Sequence, residues 1–420
     1  MLTAVGRVHQ LFPALGVLRP AMLTGLLAIV LFWFDRYEIR RARHLFTPPT
    51  KFLLALLCWM MLSVTGALVP GASFELVVDN FLKTVLMYLV VAGSVRTTRD
   101  VERLAMIYLA AAAVYSIVVV TRFEVGIGND WRLGRLYYYD ANDFATFAVT
   151  AMPIGLYFLH ASRRTLGRAL AALALVVLAL AFVRAGSRGG FIALAAVAGF
   201  VVLRYTGVAL RWRMCAAAIV TLVVMGTASD RYWEQMSTIL SDTDYNRTHE
   251  SGRLQIWRRG VGYMLGNPVF GVGPQNFQAA EGMLSAFHDR QRLDIGVRWN
   301  AAHNSFIQIG AELGIPGLVM FVAFIAASFG LLRRASRRGA DSVDTRHRAL
   351  TQALMAALIG FVVGACFLSL AYSEMLYTLA ALAAGIHKVM MMPDAGASTV
   401  AGASGIAGVH PLRESDVVRS

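Results

Sequence analysis

The chain has 420 residues, of which 57% are hydrophobic and only 15% are charged, and its formal net charge is +14. A soluble globular protein carries about 25% charged residues, and the apolar residues here form repeated runs of membrane-spanning length, so a set of soluble domains is excluded. The runs are continuous and do not alternate with polar residues, which excludes a transmembrane barrel. Because backbone groups in lipid must be paired within a segment, the sequence predicts an all-α, polytopic helical membrane protein.

Eleven apolar segments are predicted to span the membrane. They are residues 21–34, 52–69, 74–95, 103–120, 141–160, 168–184, 189–204, 212–228, 303–332, 349–370 and 373–391. An apolar stretch at 8–18 is too short to span; we expect it to lie at the interface or to be the remnant of a further helix, which would make twelve spans.

This pattern divides the chain into four parts. Residues 1–228 hold the first eight spans, residues 229–302 form one large loop with amphipathic helices, and residues 303–391 hold the last three spans. Residues 392–420 are rich in Ala, Gly, Ser and Val without helical period, which predicts a disordered tail.

The charges predict the orientation of the spans. Twenty basic residues fall in five alternate connectors, beginning with residues 35–51, whereas the other short connectors hold five. By the positive-inside rule the first set is cytoplasmic, so the N-terminus and the large loop lie outside and the tail lies inside. The net charge is thus a topogenic signal, and we expect no nucleic-acid partner.

The large loop is expected to form a small cap over the membrane. Its apolar residues recur with helical period, and the sequence Gly266-Asn267-Pro268 is expected to end this helix. The predicted apolar face consists of Leu254, Trp257, Val261, Met264 and Leu265. The following Gly271-Val272-Gly273-Pro274 predicts a turn and not a phosphate-binding loop, since no Gly-Lys-Ser/Thr follows.

Few charged residues fall inside the predicted spans. Asp79 and Lys83 are spaced i, i+4 on one helix face, which favours a structural ion pair. Glu312 is expected to hydrogen-bond a neighbouring helix, and a role for it in chemistry stays open.

Polar residues that could carry chemistry gather at the outer face. Arg184 and Arg188 flank a glycine-rich turn between spans, Arg253 lies on the loop helix, and His303 stands where the loop re-enters the membrane. A further cluster at the start of a span contains Asp140, Asn142 and Asp143. Each has an ordinary alternative, because arginines at helix ends extend to lipid headgroups and an interfacial histidine is often structural.

Taken together, these residues suggest one type of reaction. Two arginine forks suit a phosphate or pyrophosphate, and a histidine can accept a proton near neutral pH. Such a set, placed at the lipid–water boundary, is what transfer from a lipid-linked pyrophosphate donor needs. No His-rich cluster requires a metal, so arginine could replace one.

Several motifs resemble the O-antigen ligase and polymerase family over about residues 140–320. They are Asp140-Ala-Asn142-Asp143, Ser187-Arg188-Gly189, Arg253-Leu-Gln-Ile-Trp257, Gly266-Asn267-Pro268 with Gly271-Val-Gly273-Pro-Gln-Asn-Phe277, His303-Asn304-Ser305 and Glu312-Leu-Gly314-Ile-Pro-Gly317.

The resemblance implies a lipid-dependent, GT-C type glycosyltransferase of the bacterial inner membrane, with a periplasmic active face, an undecaprenyl-pyrophosphate-linked glycan as donor, and neither metal nor cofactor. Arg188 and Arg253 would bind the pyrophosphate and His303 would activate the acceptor hydroxyl. The residues assigned to substrate binding are Arg184, Asp140, Asn142, Asp143, Trp257 and Asn304.

The acceptor and the functional class have alternatives. The acceptor could be lipid A–core, a growing polymer or, as in a protein O-oligosaccharyltransferase, a protein hydroxyl. A small-molecule or anion transporter would require polar or broken helices near the midplane, often in repeated halves, whereas the polar residues here collect at the outer rim. A non-catalytic assembly subunit would tolerate replacement of Arg188, Arg253 and His303.

Overall fold

The computed structural model describes residues 3, 5–12, 20–34, 45–123, 125, 131–134, 136, 138–241, 244–285, 300–341 and 345–391. The regular structure of these residues is helical, and no β-strand forms among them. The predicted disordered tail at 392–420 lies outside the described residues, as do residues 13–18 of the apolar stretch near the N-terminus and residues 286–299 of the loop.

The helices follow one another in an order close to the predicted one. They are α1 Val8–Leu11, α2 Pro20–Phe34, α3 Pro48–Ser63, α4 Pro70–Ser94, α5 Thr98–Arg122, α6 Ala141–Ala161, α7 Thr165–Ala185, α8 Arg188–Arg204, α9 Leu210–Thr227, α10 Asp230–Ser237, α11 Tyr245–Thr248, α12 Arg253–Gly266, α13 Phe277–Met283, α14 Ser305–Asp341, α15 Thr345–Ala365 and α16 Glu374–Met391.

Eight helices within the described ranges are long and apolar enough to cross a membrane: α3 to α7, α9, α14 and α15. The chain is therefore a polytopic helical membrane protein. The other three predicted spans correspond to α2, α8 and α16, which have 15, 17 and 18 residues. The number of eleven spans stays a prediction.

Helix α6 lies at the centre of the bundle, between α7, α8 and α15. Small residues let the neighbouring helices approach closely, as is common in membrane proteins. A Cβ atom added to Gly364 of α15 would lie 2.6 Å from Thr146 Oγ1 of α6, and one added to Gly360 would lie 2.9 Å from Val197 Cγ2 of α8. This central position buries most of α6 and fixes the end that begins at Asp140.

Helix α14 agrees with the predicted span over 303–332, but it is interrupted. Gly314 has φ 69° and ψ −171°, and Pro316 follows it inside the helix. The loop segment after α12 fills the break, because Ile315 N donates to Pro268 O at 2.8 Å and Gly273 N donates to Glu312 O at 3.0 Å. The free backbone groups of the broken helix are thus satisfied by the loop, as burial in lipid requires.

The buried face of α12 also differs from the prediction. Ile256, Gly260 and Tyr263 are buried, whereas Leu254 is 39% and Leu265 is 64% exposed. The close approach of α14 selects this face, since a Cβ atom on Gly260 would lie 2.5 Å from Ile307 Cγ2. Hydrophobicity alone indicated the wrong side because the contact depends on a glycine.

Candidate active site at one end of the bundle

The candidate residues lie at or just before the first turns of four helices, α6, α8, α12 and α14. Polar side chains cap three of these helices. Asp140 Oδ1 accepts from Asn142 N and Asp143 N at 2.7 and 2.8 Å, and Asn304 Oδ1 accepts from Phe306 N and Ile307 N at 3.0 and 3.1 Å. Ser187 Oγ accepts from Gly190 N at 3.1 Å in α8. Such caps fix where each helix begins, and therefore where the residue beside it lies.

Arg188, the first residue of α8, is held by the loop. Its Nη1 donates to Thr238 Oγ1 at 2.7 Å and to Asp244 Oδ2 at 2.6 Å. Burial acts to raise the pKa of Asp244, but hydrogen bonds from Arg188 and Asn246 outweigh it and lower that pKa. The carboxylate is therefore ionised at neutral pH, and it fixes the arginine beside the start of α8.

Arg253, the first residue of α12, is half-buried without a carboxylate partner among the described residues. Burial and the positive charge of Arg188 lower the pKa of Arg253, while Asp140 acts in the opposite direction. These electrostatic interactions show that three of the candidate residues from different helices share one region. Two like charges held close together favour binding of an anion between them.

His303 precedes α14 in a left-handed backbone conformation, with φ 47°. The backbone N–H of His303 donates to Ser369 Oγ at 2.9 Å, and Ser369 lies in the connector between α15 and α16. Ser305 is bound to the same connector: its Oγ donates to Leu368 O and accepts from Leu370 N, each at 2.8 Å. The connector thus holds the backbone that carries the imidazole.

The imidazole of His303 lies close enough to Arg253 and Asp140 for their charges to affect it. Burial and the nearby charge of Arg253 lower the pKa of His303, and Asp140 acts to raise it. The ring is therefore neutral at physiological pH and able to accept a proton. The structure brings together four of the predicted residues, namely Arg188, Arg253, His303 and Asp140.

Other predicted substrate-binding residues have structural contacts. Trp257 Nε1 donates to Ala302 O at 3.0 Å and so joins α12 to the segment before His303. Arg184 Nη1 donates to the carbonyl of Val120 near the end of α5. Asn142 and Asp143 are half-buried in the first turn of α6. A role in substrate binding stays a prediction for these residues and for the helix-capping Asn304.

Sequence reasoning missed the groups that support the site. Asp244 and Ser369 carry no local signal of their partners, since each contact joins segments far apart in the chain. A second ion pair inside the loop was also missed: Arg259 Nε and Nη2 donate to Glu281 Oε1 and Oε2 at 2.8 and 2.6 Å, and Tyr263 donates to the same carboxylate at 2.7 Å. This pair fastens α12 to α13.

The three charged residues discussed inside the spans, Glu312, Asp79 and Lys83, have partners other than Arg188 and Arg253. Glu312 is 1% exposed and accepts from Gln275 N, Phe277 N and Tyr372 OH at 3.0, 3.2 and 2.6 Å. It thus binds the loop to the break in α14. Asp79 and Lys83 are 3.7 Å apart on α4, with side chains 63% and 70% exposed, so this ion pair faces away from the bundle.

Among the described residues, no group of three His, Cys, Asp or Glu side chains lies close enough to bind a metal ion. A search of curated proteins gave no match to the chain. Residues 173–322, about a third of the chain, match the family model described as O-antigen ligase. The matched region contains Arg188, Arg253 and His303 and begins after Asp140. The resemblance to the O-antigen ligase and polymerase family is therefore confirmed, and it rests on the part of the chain that carries the two arginines and the histidine.

Proposed function

We propose that the protein is a membrane glycosyltransferase that transfers a glycan from undecaprenyl pyrophosphate to an acceptor hydroxyl, at the periplasmic face of the bacterial inner membrane. One arrangement carries the proposal: Asp244 of the loop is bound to Arg188 at 2.6 Å, and α12, which begins with Arg253, is bound through Trp257 to Ala302 beside His303. The two arginines repel each other in this arrangement. A pyrophosphate between the two guanidinium groups would relieve this repulsion.

Arg188 remains able to bind such a ligand. Both of its hydrogen bonds to the loop use Nη1. Within the described residues Nε and Nη2 have no hydrogen-bond partner, and together they offer a fork suited to two phosphate oxygens. Asp244 thus orients the arginine without occupying the donors that would face the pyrophosphate.

An apolar groove supports the lipid part of the proposal. It has a volume of about 290 Å³, lies between α6, α7, α8 and α9, and is lined almost entirely by aliphatic and aromatic side chains. Phe191 and Leu194 in its wall follow Arg188 by three and six residues, or about 5 and 9 Å along α8. A hydrocarbon tail in this groove would begin directly below the pyrophosphate.

The reaction that fits these positions is a single displacement. The acceptor O–H gives its proton to His303, its oxygen forms a bond to the anomeric carbon, and the bond from that carbon to the pyrophosphate oxygen breaks with inversion. The electron pair passes to the pyrophosphate, whose increased negative charge Arg188 and Arg253 stabilise. The products are the glycosylated acceptor and undecaprenyl pyrophosphate.

The test is glycan analysis of a deletion strain complemented with His303→Ala or Arg253→Ala. We expect loss of the transferred glycan from both. Matched controls are His249→Ala and Arg258→Ala, since both side chains belong to the loop and both residues are exposed. Normal glycan with either site variant at wild-type protein levels would refute the mechanism.

A reconstituted assay separates transferase from transporter. The purified protein is mixed with a lipid-linked glycan and candidate acceptors, and covalent products are separated by mass. We expect a new glycosylated product from wild-type protein and none from His303→Ala. The acceptor that gains the glycan would distinguish lipid A–core, polymer and protein; a protein that moves the donor across vesicles without any product would be a transporter.

A further inference from the structure

A second group of arginines faces a cleft at the opposite end of the bundle from Arg188. The cleft has a volume of about 660 Å³ and is bounded by the C-terminal end of α8, the later part of α14 and the first turns of α15. Its arginines are Arg204, Arg333, Arg337 and Arg348, and no acidic residue is among the described residues that line it.

The cleft is layered from apolar to basic along its walls. On α8, Phe200 precedes Arg204 by one turn, and on α14, Phe329 precedes Arg333 by one turn, or about 6 Å in each case. On α15, which runs in the opposite direction, Arg348 lies at the end of the bundle and the apolar lining residues come after it. The arginines therefore form a rim above a hydrophobic wall.

The positive charge of this rim is not neutralised by the described residues. Nearby Arg346 forms an ion pair with Glu102, with Nε and Oε1 2.8 Å apart. No such pair joins a described carboxylate to the four arginines of the cleft. The Nε atom of Arg348 is buried without a hydrogen-bond partner in the described part of the chain, which is unusual for a buried donor.

The cleft is preformed, because the connector after α8 is fastened to α15. Tyr205 OH donates to Ala349 O at 2.8 Å, and Gly207 N donates to Gln352 Oε1 at 2.7 Å. A Cβ atom on Gly207 would lie 2.7 Å from Ala349 N, so the two backbones are in direct contact. Two walls of the cleft are thus held together without any ligand.

We propose that this cleft binds the headgroup of an anionic phospholipid. Guanidinium groups suit a phosphate, and the wall of Phe200, Phe329 and neighbouring aliphatic residues suits the upper part of an acyl chain. A free phosphate would leave the hydrophobic wall without an occupant, so the layered lining favours a lipid. The inference is independent of the proposed transfer reaction, since the cleft lies at the other end of the bundle.

The test uses the full chain purified in detergent and native mass spectrometry. Phosphatidylglycerol and phosphatidylcholine with the same acyl chains are titrated in parallel, and we expect roughly tenfold tighter binding of the anionic lipid. The triple variant Arg204→Gln, Arg333→Gln and Arg348→Gln should lose this preference. The control triple Arg99→Gln, Arg211→Gln and Arg334→Gln removes equal charge from exposed residues of the same end outside the cleft and should keep it.

Three results would overturn the proposal: equal binding of both lipids to wild-type protein, equal loss of preference in both triples, or full displacement of the lipid by millimolar inorganic phosphate. If the glutamine triple does not fold, the matching triple of lysines replaces it, because lysine keeps the charge but not the planar fork. Weaker binding of phosphatidylglycerol by the lysine triple than by the control triple supports the proposal. Binding by the lysine triple that is as tight as that of the wild-type protein contradicts it.

Discussion

Arg188 Nη1 lies 2.6 Å from Asp244 Oδ2, although the two residues are 56 positions apart. The ion pair joins the first residue of α8 in the bundle to the segment of the loop that precedes α12. Because α12 begins with Arg253 nine residues later, this contact contributes to the position of the loop arginine relative to the bundle arginine. The side chains are only 21% and 14% exposed, so solvent screens the pair weakly.

The first prediction is that Asp244→Asn slows glycan transfer while the loop stays folded. Asparagine still caps α11, since its side-chain oxygen can accept from Asn246 N as Asp244 does at 2.9 Å. It removes the charge that orients Arg188, so we expect a roughly tenfold fall in rate, the size usual for coupled neighbouring side chains. The measurement is the transfer rate of purified protein.

The control for this variant is Asp230→Asn, which changes an exposed carboxylate of the same loop. In a double-variant cycle, Asp244→Asn should have no further effect once Arg188 is replaced by alanine. Additive effects of the two changes would mean that Asp244 acts independently of Arg188.

The second prediction concerns the pH dependence of transfer. Burial and Arg253 lower the pKa of His303, so the neutral base persists below its usual pKa of about 6.5 and the acidic limb of the rate profile lies below that value. Arg253→Gln removes a positive neighbour and should move the limb to higher pH. Asp140→Asn removes a negative neighbour, keeps the cap of α6, and should move it to lower pH.

The residual rates of these two variants as a function of pH provide the measurement. Opposite shifts identify His303 as the titrating group, because no single unfolding event would produce both. If the limb does not move in either variant, the group that limits the rate at low pH is not His303.

Much of the fold could be predicted because the lipid environment imposes local rules. Each spanning helix must be apolar and must satisfy its own backbone, so hydropathy locates α3 to α7 and α15 to within about six residues at each end. The break at Gly314 was missed although Gly314 and Pro316 both disfavour a continuous helix. Its backbone groups are satisfied by Pro268 and Gly273, and no property of α14 itself reveals those distant partners.

The candidate site could be predicted in part for a related reason. Arg188 and His303 are polar residues at the boundary of predicted spans, and Arg253 lies on the amphipathic helix predicted in the loop. Asp244 is one of eight acidic residues in 229–300, and only the folded loop distinguishes it from the others. Ser369 lies near the end of an apolar run, and the residues around it give no sign that its hydroxyl group accepts a hydrogen bond from His303.

The third prediction tests whether Glu312 holds the loop in the break of α14. Glu312→Gln replaces one acceptor oxygen by an NH2 group, so at least one of its three donors loses its partner in a buried site. We expect the free energy of unfolding to fall by about 1–3 kcal/mol. Tyr372→Phe removes one hydrogen bond without leaving a donor unpaired and should lower it by about 1 kcal/mol.

Thermal and denaturant unfolding of the purified variants in detergent measures both effects. Glu234→Gln is the control, since it changes an exposed loop carboxylate and should be neutral. Unchanged stability together with abolished transfer in Glu312→Gln would contradict the structural role and indicate direct participation in the reaction.

The last prediction compares two glycines of the same loop. Gly271 has φ +67°, and a Cβ atom there would lie 2.3 Å from the carbonyl carbon of Glu312, so Gly271→Ala combines backbone strain with a clash against α14. We expect it to lower the free energy of unfolding by at least about 2 kcal/mol. Gly262 lies inside α12 with nothing within 4 Å of an added Cβ atom, so Gly262→Ala should raise it by about 0.5–1 kcal/mol. Shifts of the unfolding midpoint in opposite directions would show that the loop is fixed by direct backbone contact with the broken helix. Two equally tolerated alanines would mean that the loop only rests on the bundle surface.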